Sequence, residues 1–226
     1  MKGPVIVASA LALALPSTAG AQTFSVTSNA DSGPGTLRAA VAAAGNGDTI
    51  KIPAMTITLK TGELDVAAGV TVQGAGARAT TVSGNNSSRV FYATGPGSTI
   101  EDLTVTQGNS GADDGGGIGA AAGGLTLERI AVLHSTTTSY GGGIALTGPQ
   151  PSTIDQSLIA HNQAADGGGI STSGPTTISN TTVAGNSSTD AAGGVYVLGP
   201  SVTFDADTLS GNGAGGQGGN VRVFGS

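Results

Sequence analysis

Gly115-Gly116-Gly117-Ile118 returns as Gly141-Gly142-Gly143-Ile144 and again as Gly167-Gly168-Gly169-Ile170, and Gly193-Gly194-Val195 and Gly218-Gly219-Asn220-Val221 continue the series. The apolar landmark falls at 118, 144, 170, 195 and 221, a spacing of 25 or 26 residues. A period of this length marks stacked copies of one structural unit, none of which can bury its apolar face alone.

Three period-two triplets fit each unit. The first holds Ile144 and Leu146, Ile170 and Thr172, Val195 and Val197, Val221 and Val223. A Gly-Pro turn follows at 148–149, 174–175 and 199–200, as at 95–96 upstream. The second triplet carries the column Ile100, Leu127, Ile154, Ile178 and Phe204, and five residues on the third carries Val105, Val132, Ile159, Val183 and Leu209. Alternating triplets joined by turns predict three short strands per coil, each coil stacked about 4.8 Å from the last. Parallel crossovers are overwhelmingly right-handed. The expected fold is all-β, a right-handed three-faced parallel β-helix with Ile118, Ile144, Ile170, Val195 and Val221 turned inward. A leucine-rich repeat has a similar period, but it needs a denser leucine pattern and a helical or extended return segment, and neither is present.

Composition supports a thin-layered solenoid. Among 226 residues there are 40 Gly, no Cys and no Trp, with 3% aromatic and 10% charged residues. Glycine without a triplet period excludes collagen, and the intact apolar columns exclude disorder. With no disulfide available, the stacked core must supply the stability. The net charge of −6 is unevenly spread. Residues 22–99 carry Arg38, Lys51, Lys60, Arg78 and Arg89 against four acidic residues, whereas 100–226 carry Arg129 and Arg222 against ten. Phosphate backbones bind through Lys and Arg, so nucleic acid is excluded as a partner, and cations and neutral molecules suit this surface.

The ends read differently from the repeats. Lys2, the apolar run Val5 to Leu15 and Ala19-Gly20-Ala21 have the order of a secretory signal peptide over 1–21, too short to span a bilayer. The mature chain, without a transmembrane segment, is expected to begin at Gln22 and to be secreted, extracellular or on the outer cell surface. Thr23 to Ser28 alternates as a short strand, and the stretch after Pro34 predicts a helix with Leu37, Ala40, Val41 and Ala44 on one face and Gly45 as its stop. This N-terminal cap, 22–47, is expected to cover the first coil of a β-helix over 48–226. The sequence ends at Ser226 just past a first-triplet strand, which predicts an uncovered last layer that continues into a longer protein or a partner.

Gly-Gly-x-Ile paired with an apolar-x-x-Asn element resembles the repeat pair of polymorphic outer-membrane proteins and related right-handed β-helix surface proteins. The pairs are Gly116-Gly117-Ile118, Gly142-Gly143-Ile144 and Gly168-Gly169-Ile170 with Ile159-Ala160-His161-Asn162, Val183-Ala184-Gly185-Asn186 and Leu209-Ser210-Gly211-Asn212. That family usually has Phe where this chain has Ile, Val or Leu. TFSVTSNADSGPGTLRAAVAAAGNGDTI, 23–50, is similar to the cap that opens many secreted bacterial β-helix proteins. The resemblance implies an adhesive or scaffolding surface module of pectin-lyase-like fold.

Stacking converts repeat offsets into ladders of neighbours. One position past the second column lie Glu101, Glu128, Asp155, Ser179 and Asp205. Opposed carboxylates repel, so the ladder requires solvation, Arg129 near Asp102 and Asp155, or a divalent cation. Glu101, Glu128, Asp155 and Asp205 are therefore candidate calcium ligands, calcium being the one ion this chain suggests. Adjacent-rung carboxylates also approach the retaining glycosidase separation of about 5 Å, while Asp113-Asp114 and Asp166, two coils apart at roughly 10 Å, approach the inverting one. His134 and His161 should be neighbours on successive rungs after Gln107, a candidate base or metal pair with no third ligand in the column. Ser135, Asn162, Asn186 and Asn212 should form a structural polar ladder in a tight turn. Tyr140 and Tyr196 lie scattered beside the glycine turns.

Polygalacturonase-like β-helices combine three aspartates with Gly-His-Gly and Arg-x-Lys elements, and the last two are missing here. Pectate-lyase-like enzymes use a basic catalytic residue and basic subsites, and no Lys occurs after Lys60. The expected function is a secreted or cell-surface, non-catalytic module that meets surface glycans or other extracellular macromolecules. An extracellular polysaccharide lyase or glycoside hydrolase is the alternative.

Overall fold

The computed structural model describes residues 20–199 and 201–224. The segment read as a signal peptide lies outside them apart from its last two residues, as does Pro200 of the third Gly-Pro turn. The chain winds through three parallel sheets of seven, eight and seven strands. In a complete coil it passes through the first sheet at Ile144–Leu146, the second at Ser152–Asp155 and the third at Leu158–Ala160, then returns to the first at Ile170–Thr172.

The registers follow the predicted columns. Ile118 pairs with Ile144, Ile144 with Ile170, Ile170 with Val195 and Val195 with Val221. Leu127 and Val132 likewise sit opposite Ile154 and Ile159. The columns also run upstream of the regular repeats, through Leu64 and Phe91 in the first sheet, Phe24, Ile50 and Val72 in the second, and Ile57 and Val82 in the third. These side chains form one continuous core along the solenoid axis. On the last rung Val221 and Leu209 are half-buried and Phe204 is exposed, because they have a stacking neighbour on one side only.

From residue 100 onward each coil turns two corners on a single left-handed residue. Asp102, Arg129, Gln156, Asn180 and Ala206 take the bend between the second and third sheets, and Gln107, His134, His161, Gly185 and Gly211 the bend after the third, with φ between 49° and 62°. The asparagines expected to form a structural ladder do so just past the second bend, buried and bonded rung to rung. Asn162 Nδ2 donates to Val132 O and to Asn186 Oδ1, and Asn186 Nδ2 to Ile159 O and to Asn212 Oδ1, at 2.9–3.0 Å. This buried ladder satisfies backbone carbonyls at the corner, where an apolar side chain would strand them.

The glycine run closes the coil against its neighbours. A Cβ at Gly142 would strike the carbonyl oxygens of Gln163 and Gly168, and one at Gly143 would come within 2.9 Å of Asn162 Nδ2. Between the asparagine ladder and the glycines, Gln163–Ala164, Ser187–Ser188 and Gly213–Ala214 pair as a fourth, two-residue ladder. The last three coils therefore have one more short face than the three predicted.

At the other end Thr23–Ser25 pairs with Thr49–Lys51 as the first rung of the second sheet. Helix α1, Leu37–Ala43, has its N-cap at Thr36, whose hydroxyl accepts from Ala39 N at 3.2 Å. It buries Leu37, Ala40 and Val41 and packs on Leu64–Val66 and Thr49–Lys51. The helix is shorter than the stretch from Pro34 suggests, because Pro34 precedes the cap instead of standing at the first helical position. Arg38 ties it down through Asp31 at 2.9 Å and the carbonyls of Gly62 and Glu63 at 2.6 and 2.8 Å. Burial pushes the Asp31 pKa up, but the hydrogen bonds from Thr61 and Arg38 outweigh it and leave the carboxyl below its ordinary value.

Candidate functional site

In the first sheet the middle residue of each triplet points away from the core, since its flanking neighbours point in. Register stacks these outward residues as Tyr92, Gly119, Ala145, Ser171, Tyr196 and Arg222. An outward column is normally exposed, yet Ala145, Ser171 and Tyr196 are only 2, 4 and 7% accessible. The small residues form a recessed floor. Over Tyr92, Gly119 and Ala145 lies a depression of about 400 Å³, lined also by Asp113, Asp114, Ala121 and Thr147, with the Arg89 side chain lying over Gly119.

The wall on the glycine side is itself a ladder. Gly115 N donates to Tyr140 O and Gly141 N to Asp166 O, so Asp114, Tyr140 and Asp166 occupy successive rungs. Asp114 and Asp166 stand two coils apart, as the spacing predicts, with Tyr140 between them. Asp114 Oδ1 accepts from Ser139 Oγ at 2.6 Å and from Tyr140 N at 3.3 Å. Asp166 Oδ1 accepts from Ala191 N at 3.0 Å. Burial raises the Asp166 pKa above its ordinary value, and the nearby Asp190 charge adds to this. Asp113 is exposed beside this wall, and its main-chain carbonyl accepts from Ser110 and Thr137.

Aromatic rings line both ends of the floor. The Arg89 guanidinium lies 4.5 Å from the Tyr92 ring centre, contacts Glu63 at 2.5 Å and donates to Asp114 O. Tyr140 reaches across to Tyr196, and their rings stack with centres 6.0 Å apart and planes 2° from parallel. The two tyrosines read as scattered are thus a pair. Sequence offsets hide this, because Tyr140 comes from a turn and Tyr196 from a strand two coils later. Desolvation raises the Tyr196 pKa, and Asp166 adds to the shift. Among the described residues neither the Tyr196 phenol nor the Ser171 hydroxyl hydrogen-bonds to protein, and both side chains belong to the outward column.

The other predicted constellations lie elsewhere on the molecule. Glu101, Glu128, Asp155, Ser179 and Asp205 are in register on the second sheet. Arg129 sits among the first of them, with Glu101 Oε2 at 2.9 Å, Asp102 Oδ1 at 2.8 Å and a contact to Glu128. The Arg129 hydrogen bonds hold the Asp102 carboxyl below its ordinary range. Asp155, expected beside Arg129, instead accepts from Asn180, Ser179 and Gln156, which lower its pKa. Asp205 N bonds to Asp207 Oδ2. Among the described residues no three His, Asp or Glu side chains are arranged to hold a metal ion. His134 and His161 do stack, at 5.4 Å and 9°, exposed at the left-handed bend. The His161 ring covers Gly185, where a Cβ would lie 2.9 Å from Cε1.

Among the described residues no helix is long and apolar enough to cross a membrane. Searches among curated proteins and among solved structures gave no match. A family model described as the right handed beta helix region matches residues 68–222, from the loop before the Val72 strand to the last strand of the first sheet. With the parallel registers and stacked columns already described, that match places the chain in the right handed beta helix family.

Proposed function

We propose that this chain is a secreted, non-catalytic β-helix module that holds an extracellular glycan along the outer face of its first sheet. The observation that carries the reading is the recessed floor. A row of small residues runs between tyrosines at either end, with the hydroxyls of Ser171 and Tyr196 left without protein partners among the described residues. Sugar rings stack on aromatic faces, and an extended polymer fits a groove that repeats every rung. The leader-like order of residues 1–21 supports secretion, and similarity to surface β-helix repeats supports an adhesive or scaffolding role.

One observation favours a second reading, an extracellular polysaccharide lyase or hydrolase. Burial raises the pKa of Asp166 on the wall, two rungs from Asp114, the direction an acid facing a base across a glycosidic bond requires. The missing basic residues weigh against it. Binding to immobilised glycans, measured beside release of new sugar ends, separates the two. Retention of a glycan without cleavage, lost in Tyr140→Ala, is the expected result. Cleavage abolished by Asp166→Asn replaces the first reading with the second, and neither retention nor cleavage by the parent protein overturns both.

A further inference from the structure

We infer that the polymer held in this groove carries amino groups: its ligand class is a cationic amino-sugar glycan, not a polyuronate. The inference rests on the groove being a glycan site and concerns the charge of what enters it. Asp113 and Asp114, Asp166 and Asp190 precede three of the glycine runs along one wall, with Tyr140 on the rung between Asp114 and Asp166. Two cations border this wall and are outnumbered by its four carboxylates: Arg89 lies over Gly119, and Arg222 follows Tyr196 in the floor column, where its charge lowers the Asp166 pKa. Arg89 is 8% accessible and held by Glu63, Asp114 O and the Tyr92 ring, while Arg222 lies over Phe224 at 5.8 Å.

A polyuronate would bring a carboxylate per sugar against this wall, and like charges facing each other across an interface cost several kcal/mol. An ammonium brings three donors and no acceptor, so it suits carboxylates whose remaining lone pairs face the groove. Asp114 and Asp166 repeat along the solenoid at roughly 10 Å, two rungs of about 4.8 Å, so one extended polymer meets successive carboxylates. Ser171 and Tyr196 supply the second, independent element. Both are more than nine-tenths buried in the outward column, and among the described residues neither hydroxyl has a protein hydrogen-bond partner, which leaves both free to bond sugar hydroxyls. An ammonium beside Asp166 favours its ionised form and offsets the desolvation that raises its pKa.

The test is calorimetric titration at low salt with three oligosaccharides of matched length: glucosamine, N-acetylglucosamine and galacturonate oligomers. The glucosamine oligomer should bind at least tenfold tighter than its acetylated counterpart, with no detectable galacturonate binding. Asp166→Asn should remove most of that tenfold preference while leaving the acetylated oligomer unaffected. Glu128→Gln, on the distant second sheet, should change nothing. Equal binding of the acetylated oligomer, or preference for galacturonate, overturns the inference while leaving the glycan site intact. Equal losses in Glu128→Gln and Asp166→Asn also overturn it, because the attraction would then be a property of net charge alone. Failure of all three oligomers to bind removes the glycan reading itself.

Discussion

Individual side chains on this solenoid are read through the rung above and the rung below. Arg129 shows the consequence most directly, since one guanidinium serves Glu101, Asp102 and Glu128. It is 38% exposed, which limits its worth. Arg129→Gln is expected to lower stability by about 1 kcal/mol at low salt, the upper range for an exposed pair. Added salt or millimolar calcium should restore the variant by screening or replacing the missing cation, and the parent's melting curve should not respond to calcium. A parent stabilised by calcium would show that the ladder takes an ion beside Arg129. Asp166 behaves oppositely to Asp102. Burial raises its pKa, so the folded chain holds that proton more tightly than the unfolded one, and its contribution to stability falls as pH rises through the carboxylate range. Asp166→Asn should melt higher than the parent at neutral pH, with the difference vanishing below about pH 3.8, the ordinary value. The ladders at this scale were legible because a constant offset suffices to find them. The Tyr140–Tyr196 pair was not, because it joins two different positions of the repeat.

Elements here are too short to stand alone: most strands have three residues, and their order comes from stacking. Ile144 lies fully buried between Ile118 and Ile170. Ile144→Asp should abolish the cooperative melt by circular dichroism, since it places an unpaired charge in the column. Leu158→Asp, at an exposed position two strands later, should be nearly neutral. The cap is an element of a different kind. Removing 23–47 takes away α1 and the Thr23–Ser25 rung together, baring the strand edge at Thr49–Lys51 and the apolar side of Leu64. The truncated protein should elute as aggregate in size-exclusion chromatography, and a soluble monomer would refute a protective role. Helix and regular coils were both readable from pattern. The coils before residue 100 were not, because Ile50 to Val72 spans 22 residues and Val72 to Ile100 spans 28, which breaks the period while keeping the register. The fourth ladder also escaped, since Gln163–Ala164 and Ser187–Ser188 carry no apolar alternation.

At the scale of the molecule, each coil touches only the coil before and the coil after, so stability is approximately a sum of coil terms and nearest-neighbour interfaces. That argument predicts that one complete repeat is removable. Excising 144–169 joins Gly143 to Ile170 and regenerates the sequence Gly-Gly-Gly-Ile at the junction. Ile118 then stacks on Ile170, Leu127 on Ile178 and Val132 on Val183, each an apolar pair already compatible with its column. Ser135 N, which now donates to Asn162 Oδ1, finds Asn186 Oδ1 in the same place. At roughly 0.05–0.15 kcal/mol per residue, losing these residues should cost about 1–4 kcal/mol. The shortened protein should therefore keep a β-rich circular dichroism spectrum and a single melting transition at lower temperature. Excising 144–156 instead removes only half a coil, brings a second-sheet segment against the first-sheet column and should leave no cooperative transition. If both deletions unfold alike, stability is shared across the whole solenoid and not carried coil by coil. The full-coil deletion also removes Asp166 and shortens the groove by one rung, so it should lose glucosamine binding while remaining folded, which separates the role of the scaffold from that of the site built on it.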